Sequence, residues 1–285
     1  MTPKNLDAKV VAEIGCNHMG QLELAKDMIA AAARAGAWCV KFQKRDPKSC
    51  LTPAQYEAPY DSPNSFGRTY GEHRERLEFT IEQHRELLLT CVRYGVKYST
   101  SVWDLPSLAE ALVLHGEFPL AFPYVKIPSA KNEDFRLLEA ADYKWPTEVH
   151  ISNGMIGREE EKDIVDFLQM KCVMYACTSS YPSEHKDVKI LDVPRLLKYP
   201  IRSVGFSGHH KGIALDVAAA ALGAEFIERH FTLDRTWKGT DQAASLEPEG
   251  LRRLCRDLRA LGEAWDIRYT TLPAELPVRK KLKGA

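Results

Sequence analysis

The chain lacks the features that mark several common protein classes. Its 39 basic residues balance 39 acidic ones, so no strongly charged surface for nucleic acid or an anionic membrane is expected. No apolar run approaches the roughly 20 residues of a membrane span, and the N-terminus has no signal-peptide core. A Walker-type glycine-rich loop is also absent, which disfavours ATP as a ligand.

Cysteine is present but unpatterned. The seven cysteines are odd in number, scattered, and free of any C-x-x-C pair. This argues against a disulfide framework or a structural zinc site and favours reduced thiols in the cytoplasm.

What the sequence does contain is an alternation of eight short apolar, β-branched runs with helical stretches. Continuous apolar character is typical of strands that are buried on both faces. Eight βα units within 285 residues predict a closed (β/α)8 TIM barrel, whose active site lies at the C-terminal ends of the strands. We expect the barrel domain to cover residues 1–265, with a tail at 266–285. The predicted strands are 10–16, 39–44, 97–103, 124–130, 148–154, 172–179, 201–207 and 224–231.

Helices are expected between these strands. The first should span 22–35 and end at Gly36, and Thr80 with Gln83 predicts a capping box on the second. The connection 45–79 is far longer than most and suggests a functional lid or binding loop, and 233–247 is a shorter excursion of the same kind. The remaining helices are expected near 80–94, 105–115, 134–142, 158–170, 188–198, 212–222 and 248–262.

Two lysines, Lys41 and Lys126, lie within otherwise apolar strands. A buried ammonium group needs a partner, so two lysines at matching strand ends favour a bound anion between them. The alternative is that each side chain extends its charge to solvent. Hydroxyl donors at the same ends of the strands would suit a phosphate or carboxylate; they are Ser129, Ser152, Thr178 and Ser207.

Two histidines, His209 and His230, end neighbouring strands and could share one divalent metal ion, with water and substrate completing its coordination. The alternatives are two unrelated surface histidines, or His210 in place of His209. Glu13 and Glu228, inside the first and last strands, need a lysine, a metal ion or a sugar hydroxyl as partner, and barrel ion pairs with Lys41 or Arg229 are an equal possibility. Asp241 is well placed for a substrate hydroxyl.

With these residues in place, the chain resembles the sialic acid synthase family, the phosphoenolpyruvate-dependent nonulosonic acid synthases. The similarity runs in order along nearly the whole chain. The matching stretches include 12–18 (AEIGCNH), 40–43 (VKFQ), 70–74 (YGEHR), 124–127 (YVKI), 151–155 (ISNGM), 177–182 (CTSSYP), 205–209 (GFSGH), 227–232 (IERHFT) and 236–248 (TWKGTDQAASLEP).

The resemblance implies a reaction in which C3 of phosphoenolpyruvate attacks the aldehyde of an open-chain aldose. Water adds at C2 and phosphate leaves by C–O cleavage, giving a 3-deoxy-2-keto sugar acid. His209 and His230 would bind the metal, Mn2+ or Mg2+. Phosphoenolpyruvate would be bound by Lys41, Thr100, Lys126, Ser129, Ser152, Ser179 and Ser207. The sugar would be contacted by Glu13, Gln43, Asn64, Tyr181 and Asp241, and the catalytic set would be Glu13, Lys41, Lys126, Lys131 and Glu228.

The chain departs from the family pattern in three places. Lys131 stands where the family has an acidic residue linked to proton handling, and it could instead meet an anionic group on the sugar. Ser179 replaces an asparagine. The segment 272–281 resembles the linker to a C-terminal antifreeze-like domain that the chain is expected to lack. That domain supplies an arginine near the sugar's N-acyl group, so the expected substrate is a sugar without that group, or a separate partner protein supplies the domain.

Other functions stay open at this point. An octulosonate- or heptulosonate-type synthase would use a phosphorylated or acidic aldose, and a barrel that binds phosphoenolpyruvate without turnover would be a non-catalytic subunit. A metal-dependent aldolase on the same fold would not need phosphoenolpyruvate. By resemblance, the chain is expected to form a homodimer.

Overall fold

The computed structural model describes residues 6–284 and contains a closed barrel of eight parallel strands. Each strand pairs with the next along the chain, and β8 closes the barrel against β1. The TIM-barrel prediction is therefore confirmed. The strands are β1 Lys9–Gly15, β2 Cys39–Lys44, β3 Lys97–Val102, β4 Val125–Ile127, β5 Val149–Ser152, β6 Cys172–Cys177, β7 Ser203–Gly208 and β8 Phe226–His230.

Helices pack around the outside of the barrel and bury the main apolar core against the strands. Within residues 6–284 none of them is long and apolar enough to cross a bilayer. In chain order they are α1 Leu22–Ala35, α2 Pro47–Cys50, α3 Pro53–Glu57, α4 Tyr70–Leu77, α5 Ile81–Tyr94, α6 Leu105–Glu117, α7 Phe135–Lys144, α8 Arg158–Leu168, α9 Asp192–Leu196, α10 Ala214–Ala221, α11 Pro248–Glu263 and α12 Leu276–Lys283.

Local sequence signals account for several helix ends. Gly36 ends α1 in the left-handed region at φ 97°, as predicted. The Thr80 hydroxyl accepts a hydrogen bond from the Gln83 N–H while the Gln83 side chain accepts one from the Thr80 N–H, so the predicted capping box is confirmed.

The prediction of a helix over 188–198 was wrong in length, because α9 covers only Asp192–Leu196. Pro194 explains the difference. Its ring is tolerated in the first turn of a helix, whereas a helix beginning at 188 would place it in the interior, where its missing N–H breaks the hydrogen-bond ladder. The long connection 45–79 also differs from a simple loop, since it folds into α2, α3 and α4.

The inside of the barrel is divided into two layers. Toward the N-terminal ends of the strands, the interior is filled by apolar and aromatic side chains, including Tyr124, Tyr175 and Phe226, with Trp38 packed against them. Toward the C-terminal ends the inward positions are polar. Glu13 lies opposite Lys41, and Ser207 lies opposite Glu228, on neighbouring strands. The fold therefore gathers the polar strand ends on top of an aromatic floor.

Candidate active site

A cavity of about 240 Å³ lies at the C-terminal ends of the strands. Twelve of the sixteen site residues predicted from the sequence line it. They are the two predicted metal ligands, His209 and His230, and Glu13, Lys41, Gln43, Lys126, Ser129, Ser152, Ser179, Tyr181, Ser207 and Glu228. A larger cavity, of about 590 Å³, lies at the opposite end of the barrel. Its two basic residues, Lys9 and Arg202, are already paired with Glu225 at 2.8 Å and 3.5 Å. The chemistry is concentrated in the smaller cavity.

Four buried charges form the base of this cavity. The Lys41 ammonium lies 2.5 Å from a Glu13 oxygen and 3.8 Å from Glu228. The Lys126 ammonium lies 2.6 Å from Glu228. All four side chains are almost completely buried, so each depends on the others for compensation of its charge. The predicted anion-binding lysines are therefore already paired with carboxylates in the absence of a ligand.

The two carboxylates differ in their ease of protonation. Burial raises the pKa of Glu13 to about 7, even though Lys41 opposes the shift. Burial acts in the same direction on Glu228, but Lys126 and Lys41 overcome it and lower the pKa of Glu228 to about 2. Glu13 can therefore take up or release a proton near neutral pH while Glu228 stays ionised.

Hydroxyl groups surround the lysines. The Lys41 ammonium donates to the Ser101 hydroxyl at 2.7 Å, and the Ser207 hydroxyl donates to Glu228 at 3.2 Å. Ser129 and Ser179 converge next to Gly154, where an added Cβ would lie 2.6 Å and 2.2 Å from their hydroxyl oxygens. Only glycine leaves room for both hydroxyls, so this point of the wall is a small cradle of hydrogen-bond donors.

The two histidines face each other across one side of the cavity, with ring centroids 5.4 Å apart. His209 Nδ1 bonds to the Thr178 carbonyl at 2.7 Å, so Nε2 is the ring nitrogen that would coordinate a metal ion. His230 Nδ1 is buried without a hydrogen-bond partner, and burial lowers the pKa of this histidine to about 4, so the ring is neutral. Within residues 6–284 no third histidine, cysteine or carboxylate joins them in a metal-binding group.

The cavity wall also contains residues that the sequence analysis missed. Trp103 lines the wall, and its ring stacks on the Arg45 guanidinium at 4.2 Å. Cys177 lies against His209: burial raises the pKa of the thiol, but the imidazole overcomes this effect and lowers it to about 7. A cysteine that ends an apolar strand looks like a core residue in the sequence, so nothing there marked it.

One predicted site residue lies on the face of its strand that points away from the cavity. Thr100 does not line the cavity, whereas its neighbour Ser101 does. Successive side chains of a strand point to opposite faces, so a shift of one residue moves the hydroxyl from the lumen to the helix layer. Thr100 therefore lies outside the cavity in which phosphoenolpyruvate was expected to bind, and Ser101 is the β3 hydroxyl that lines it.

Three other predicted residues lie outside the cavity lining. Lys131 is partly exposed on a short 3-10 helix after β4, with its ammonium 4.0 Å from Asp134. Asn64 accepts a hydrogen bond from the Gly239 N–H at 3.1 Å, which joins the two long connections. Asp241 lies just behind the site, 3.9 Å from His230 Nδ1. Asn64 and Asp241 therefore belong to the two long connections, and Lys131 lies near Asp134 and not in the group of paired lysines and glutamates.

This arrangement of paired lysines, serine hydroxyls and facing histidines at the end of a barrel has a match among known families. The sequence model of the NeuB family matches residues 28–267, which is most of the chain. The chain belongs to the NeuB family. As a member of the NeuB family it is an enzyme of the nonulosonic acid synthase type. Such an enzyme is a transferase that forms a carbon–carbon bond using phosphoenolpyruvate.

Individual NeuB family relatives show how far the similarity extends. The chain is 39% identical over 278 residues to N-acetylneuraminate-9-phosphate synthase of Homo sapiens, covering 96% of this chain and 76% of the relative. It is 32% identical to the N,N'-diacetyllegionaminic acid synthase of Campylobacter jejuni, covering 90% and 76%. The crystal structure of an N-acetylneuraminic acid synthetase from Leptospira borgpetersenii, in complex with citrate, superimposes with a TM-score of 0.79 at 27% identity, covering 98% of this chain and 93% of that chain.

Proposed function

We propose that the protein condenses phosphoenolpyruvate with an open-chain aldose, with the help of a divalent metal ion, to form a 3-deoxy-2-keto sugar acid and phosphate. C3 of phosphoenolpyruvate forms the new bond to the aldehyde carbon, water adds at C2, and the C–O bond to phosphate breaks. The observation that carries this proposal is the convergence of two buried lysines, a ring of hydroxyls and two facing histidines in one cavity.

The lysines and serines provide the binding site for phosphoenolpyruvate in this proposal. Lys41 and Lys126 supply the positive charge, and Ser101, Ser129, Ser152, Ser179 and Ser207 supply hydroxyl donors around it. An incoming anion competes with Glu13 and Glu228 for the two ammonium groups. Since Glu13 can take up a proton near neutral pH whereas Glu228 stays ionised, Glu13 is the carboxylate that gives way, and Glu228 keeps Lys126 in place.

The two histidines fit a divalent ion such as Mn2+ or Mg2+. Both rings are buried, and the neutral ring of His230 carries an unpartnered Nδ1, the kind of atom that such an ion satisfies. Bound there, the ion would polarise the aldehyde oxygen of the aldose. Glu13 lines the same cavity as the two histidines and would deliver a proton to the aldehyde oxygen. Gln43 Nε2 donates a hydrogen bond to Glu13 at 3.2 Å.

The aldose is assigned to the outer part of the cavity. Tyr181 is about half exposed, and its ring lies 4.1 Å from His209 and 5.8 Å from His230. Gln43 and Tyr181 line the cavity directly, Asp241 lies 3.9 Å from His230 Nδ1, and Asn64 is hydrogen-bonded to the connection that carries Asp241. We assign the sugar hydroxyls to these four side chains.

We further propose that the enzyme is a homodimer of the cytoplasm, which analytical ultracentrifugation and cell fractionation would test.

The decisive experiment measures phosphate release from phosphoenolpyruvate with Mn2+ across a panel of aldoses. The panel contains N-acetylmannosamine, mannose, arabinose and their phosphates. Release with one aldose, abolished by a chelator and by His230→Ala, supports the proposal and identifies the substrate. Binding of phosphoenolpyruvate without release for any aldose contradicts it, and favours a non-catalytic subunit or a requirement for a separate antifreeze-like partner.

One observation favours a phosphorylated aldose as a second candidate. Arg74 and Lys238 lie at the junction of the two long connections, and neither forms an ion pair with a carboxylate of residues 6–284; they contact the rings of Tyr70 and Phe66 instead. The human relative is named for a 9-phosphate product. In this version of the proposal the two cations, with Lys131, bind the phosphate of the sugar.

Paired substrates distinguish the two candidates. The enzyme is assayed with N-acetylmannosamine and its 6-phosphate, before and after the changes Arg74→Met and Lys238→Met. A phosphate-binding role predicts that these variants lose preference for the phosphorylated sugar and keep their rate with the neutral one. An unchanged ratio contradicts the phosphate-binding role.

A further inference from the structure

The Lys126 ammonium group lies over the face of an aromatic ring to which the proposed reaction assigns no role. Its ammonium nitrogen lies 4.0 Å from the centroid of the Tyr175 ring. Lys126 lines the cavity, whereas Tyr175 is fully buried beneath it, in the aromatic floor of the barrel. An ammonium group this close to a ring face, and away from water, is a strong cation–π pair.

The ring is fixed from both sides. The Tyr175 hydroxyl is hydrogen-bonded to His150 Nδ1 at 2.8 Å, and the His150 ring is stacked on Tyr124 with centroids 3.6 Å apart. On the neighbouring strand, an added Cβ at Gly205 would lie 2.6 Å from the Tyr175 ring, so only glycine leaves the ring room to lie flat. The platform under Lys126 is therefore rigid before any ligand arrives.

An aromatic partner has an advantage over a carboxylate at this position. Glu228 stabilises the Lys126 ammonium but also repels an anion, because it brings a full negative charge to the site. The Tyr175 ring stabilises the same ammonium through its quadrupole and adds no net charge. The lysine thus keeps more of its positive charge available for the ligand than a second carboxylate would allow.

We propose that Tyr175 is a positioning residue for phosphoenolpyruvate binding, because its ring holds the Lys126 ammonium toward the serine cradle by a cation–π contact. This inference rests on the proposed function in one respect, namely that Lys126 binds phosphoenolpyruvate. Tyr175 itself touches no reacting atom, so its effect is on the affinity for the anion rather than on the aldose.

The experiment replaces Tyr175 with phenylalanine and then with mono-, di- and trifluorinated phenylalanines, which withdraw electrons from the ring with little change of volume. The full-length enzyme is assayed for the dissociation constant of phosphoenolpyruvate by calorimetry and for the KM of each substrate. We expect Tyr175→Phe to stay within about threefold of wild type, and full fluorination to weaken phosphoenolpyruvate binding roughly tenfold or more, in proportion to the lost cation–π energy. The KM for the aldose should not follow the fluorine count.

A matched control carries the same fluorinated residues at Phe122, which is equally buried but lies in the outer core against Trp145. Tyr175→Leu, which removes the ring, should weaken phosphoenolpyruvate binding at least as much as trifluorination, and its thermal unfolding reports whether the variant folds. A dissociation constant that is independent of fluorine count at position 175 overturns the inference. Failure of wild type to bind phosphoenolpyruvate at all would instead overturn the proposed function.

Discussion

The Arg45 guanidinium donates a hydrogen bond to Oε1 of Gln43, and this contact decides which way the Gln43 amide faces. Arginine has donors and no acceptor, so the amide oxygen must be the atom that meets it. Nε2 then points toward Glu13, 3.2 Å away, on the cavity side. Gln43 therefore presents its Nε2 donor, and not its oxygen, on the cavity side.

Loss of Arg45 should weaken aldose binding by freeing this amide. The test is the double variant Arg45→Met with Glu78→Met, because Glu78 is the ion-pair partner of Arg45 at 2.7 Å and would otherwise be left buried without compensation. We expect the KM for the aldose to rise roughly tenfold, the cost of one hydrogen bond to a charged group, with the KM for phosphoenolpyruvate unchanged. The same double change at the exposed Arg85–Glu117 pair is the control. Equal increases in both KM values would contradict the role assigned to Arg45.

Ser101 and Thr100 provide a matched pair on opposite faces of β3. Ser101→Ala removes the hydroxyl that accepts from Lys41 at 2.7 Å, so we expect the KM for phosphoenolpyruvate to rise roughly tenfold. Thr100→Val removes a hydroxyl on the opposite face of the strand, outside the cavity, and should change this KM by no more than about twofold. Steady-state kinetics of the two variants decides the assignment, and the reverse order of effects would restore Thr100 as the ligand contact.

The metal prediction can be tested without turnover. Mn2+ binding, followed by the loss of the free-ion signal in electron paramagnetic resonance, should weaken by more than about a hundredfold in His209→Ala and His230→Ala, since even outer-sphere changes cost up to that factor. His185→Ala, at an exposed histidine nearby, is the control and should bind like wild type. In wild type, a chelator should abolish phosphate release and Mn2+ should restore it. Unaltered Mn2+ affinity in both cavity variants would refute the site.

Glu13 should make the free energy of unfolding depend on pH near neutrality. Burial raises the pKa of Glu13 to about 7 from an ordinary 4.5, so between these values the folded protein holds a proton that the unfolded chain has released. The resulting stabilisation is complete below pH 4.5 and is lost as the pH rises through about 7. Glu228 acts in the opposite sense: the pKa of Glu228 is lowered to about 2, so its contribution is present above pH 4.5 and is lost as the pH falls toward 2.

Urea unfolding at about pH 5.5 and about pH 8 measures the Glu13 effect. Wild type should lose more stability between these two values than Glu13→Gln does, because glutamine cannot titrate. Glu263→Gln, at an exposed position, should behave like wild type. Parallel pH dependences for wild type and Glu13→Gln would show that Glu13 does not hold a proton in the folded state.

The sequence predicted the barrel and most of the cavity because both depend on strong, repeated signals. Apolar β-branched runs define the strands, and a lysine such as Lys41 or Lys126 inside such a run is costly enough to indicate a function. His209 and His230 could be placed because each comes at the C-terminal end of a strand that such an apolar run predicts. The contacts that complete the site, such as Tyr181 against His209, depend on long-range packing and could be anticipated only through the family resemblance.

The residues that escaped prediction gave weak or misleading signals. Ser99, Thr100 and Ser101 are three hydroxyl side chains in a row, and only the alternation with Tyr98 and Val102 shows that Thr100 shares their face, toward the helix layer. Tyr175 and Cys177 read as ordinary core residues, and their roles depend on Lys126 and His209, which lie on other strands. Lys131 was expected in the site, but it does not line the cavity and lies 4.0 Å from Asp134, partly exposed.

The aromatic floor of the barrel has a consequence for the order of events in catalysis. Tyr124, His150, Tyr175 and Phe226 are fully buried and close the N-terminal side, so the cavity opens at the C-terminal ends of the strands, at a mouth where Tyr181 is about half exposed. The site is a blind-ended chamber. Under the proposed assignment, phosphoenolpyruvate occupies the deep end of the chamber and the aldose occupies its entrance, so the aldose must bind after phosphoenolpyruvate. The sugar acid must then leave through the mouth before a new molecule of phosphoenolpyruvate can bind.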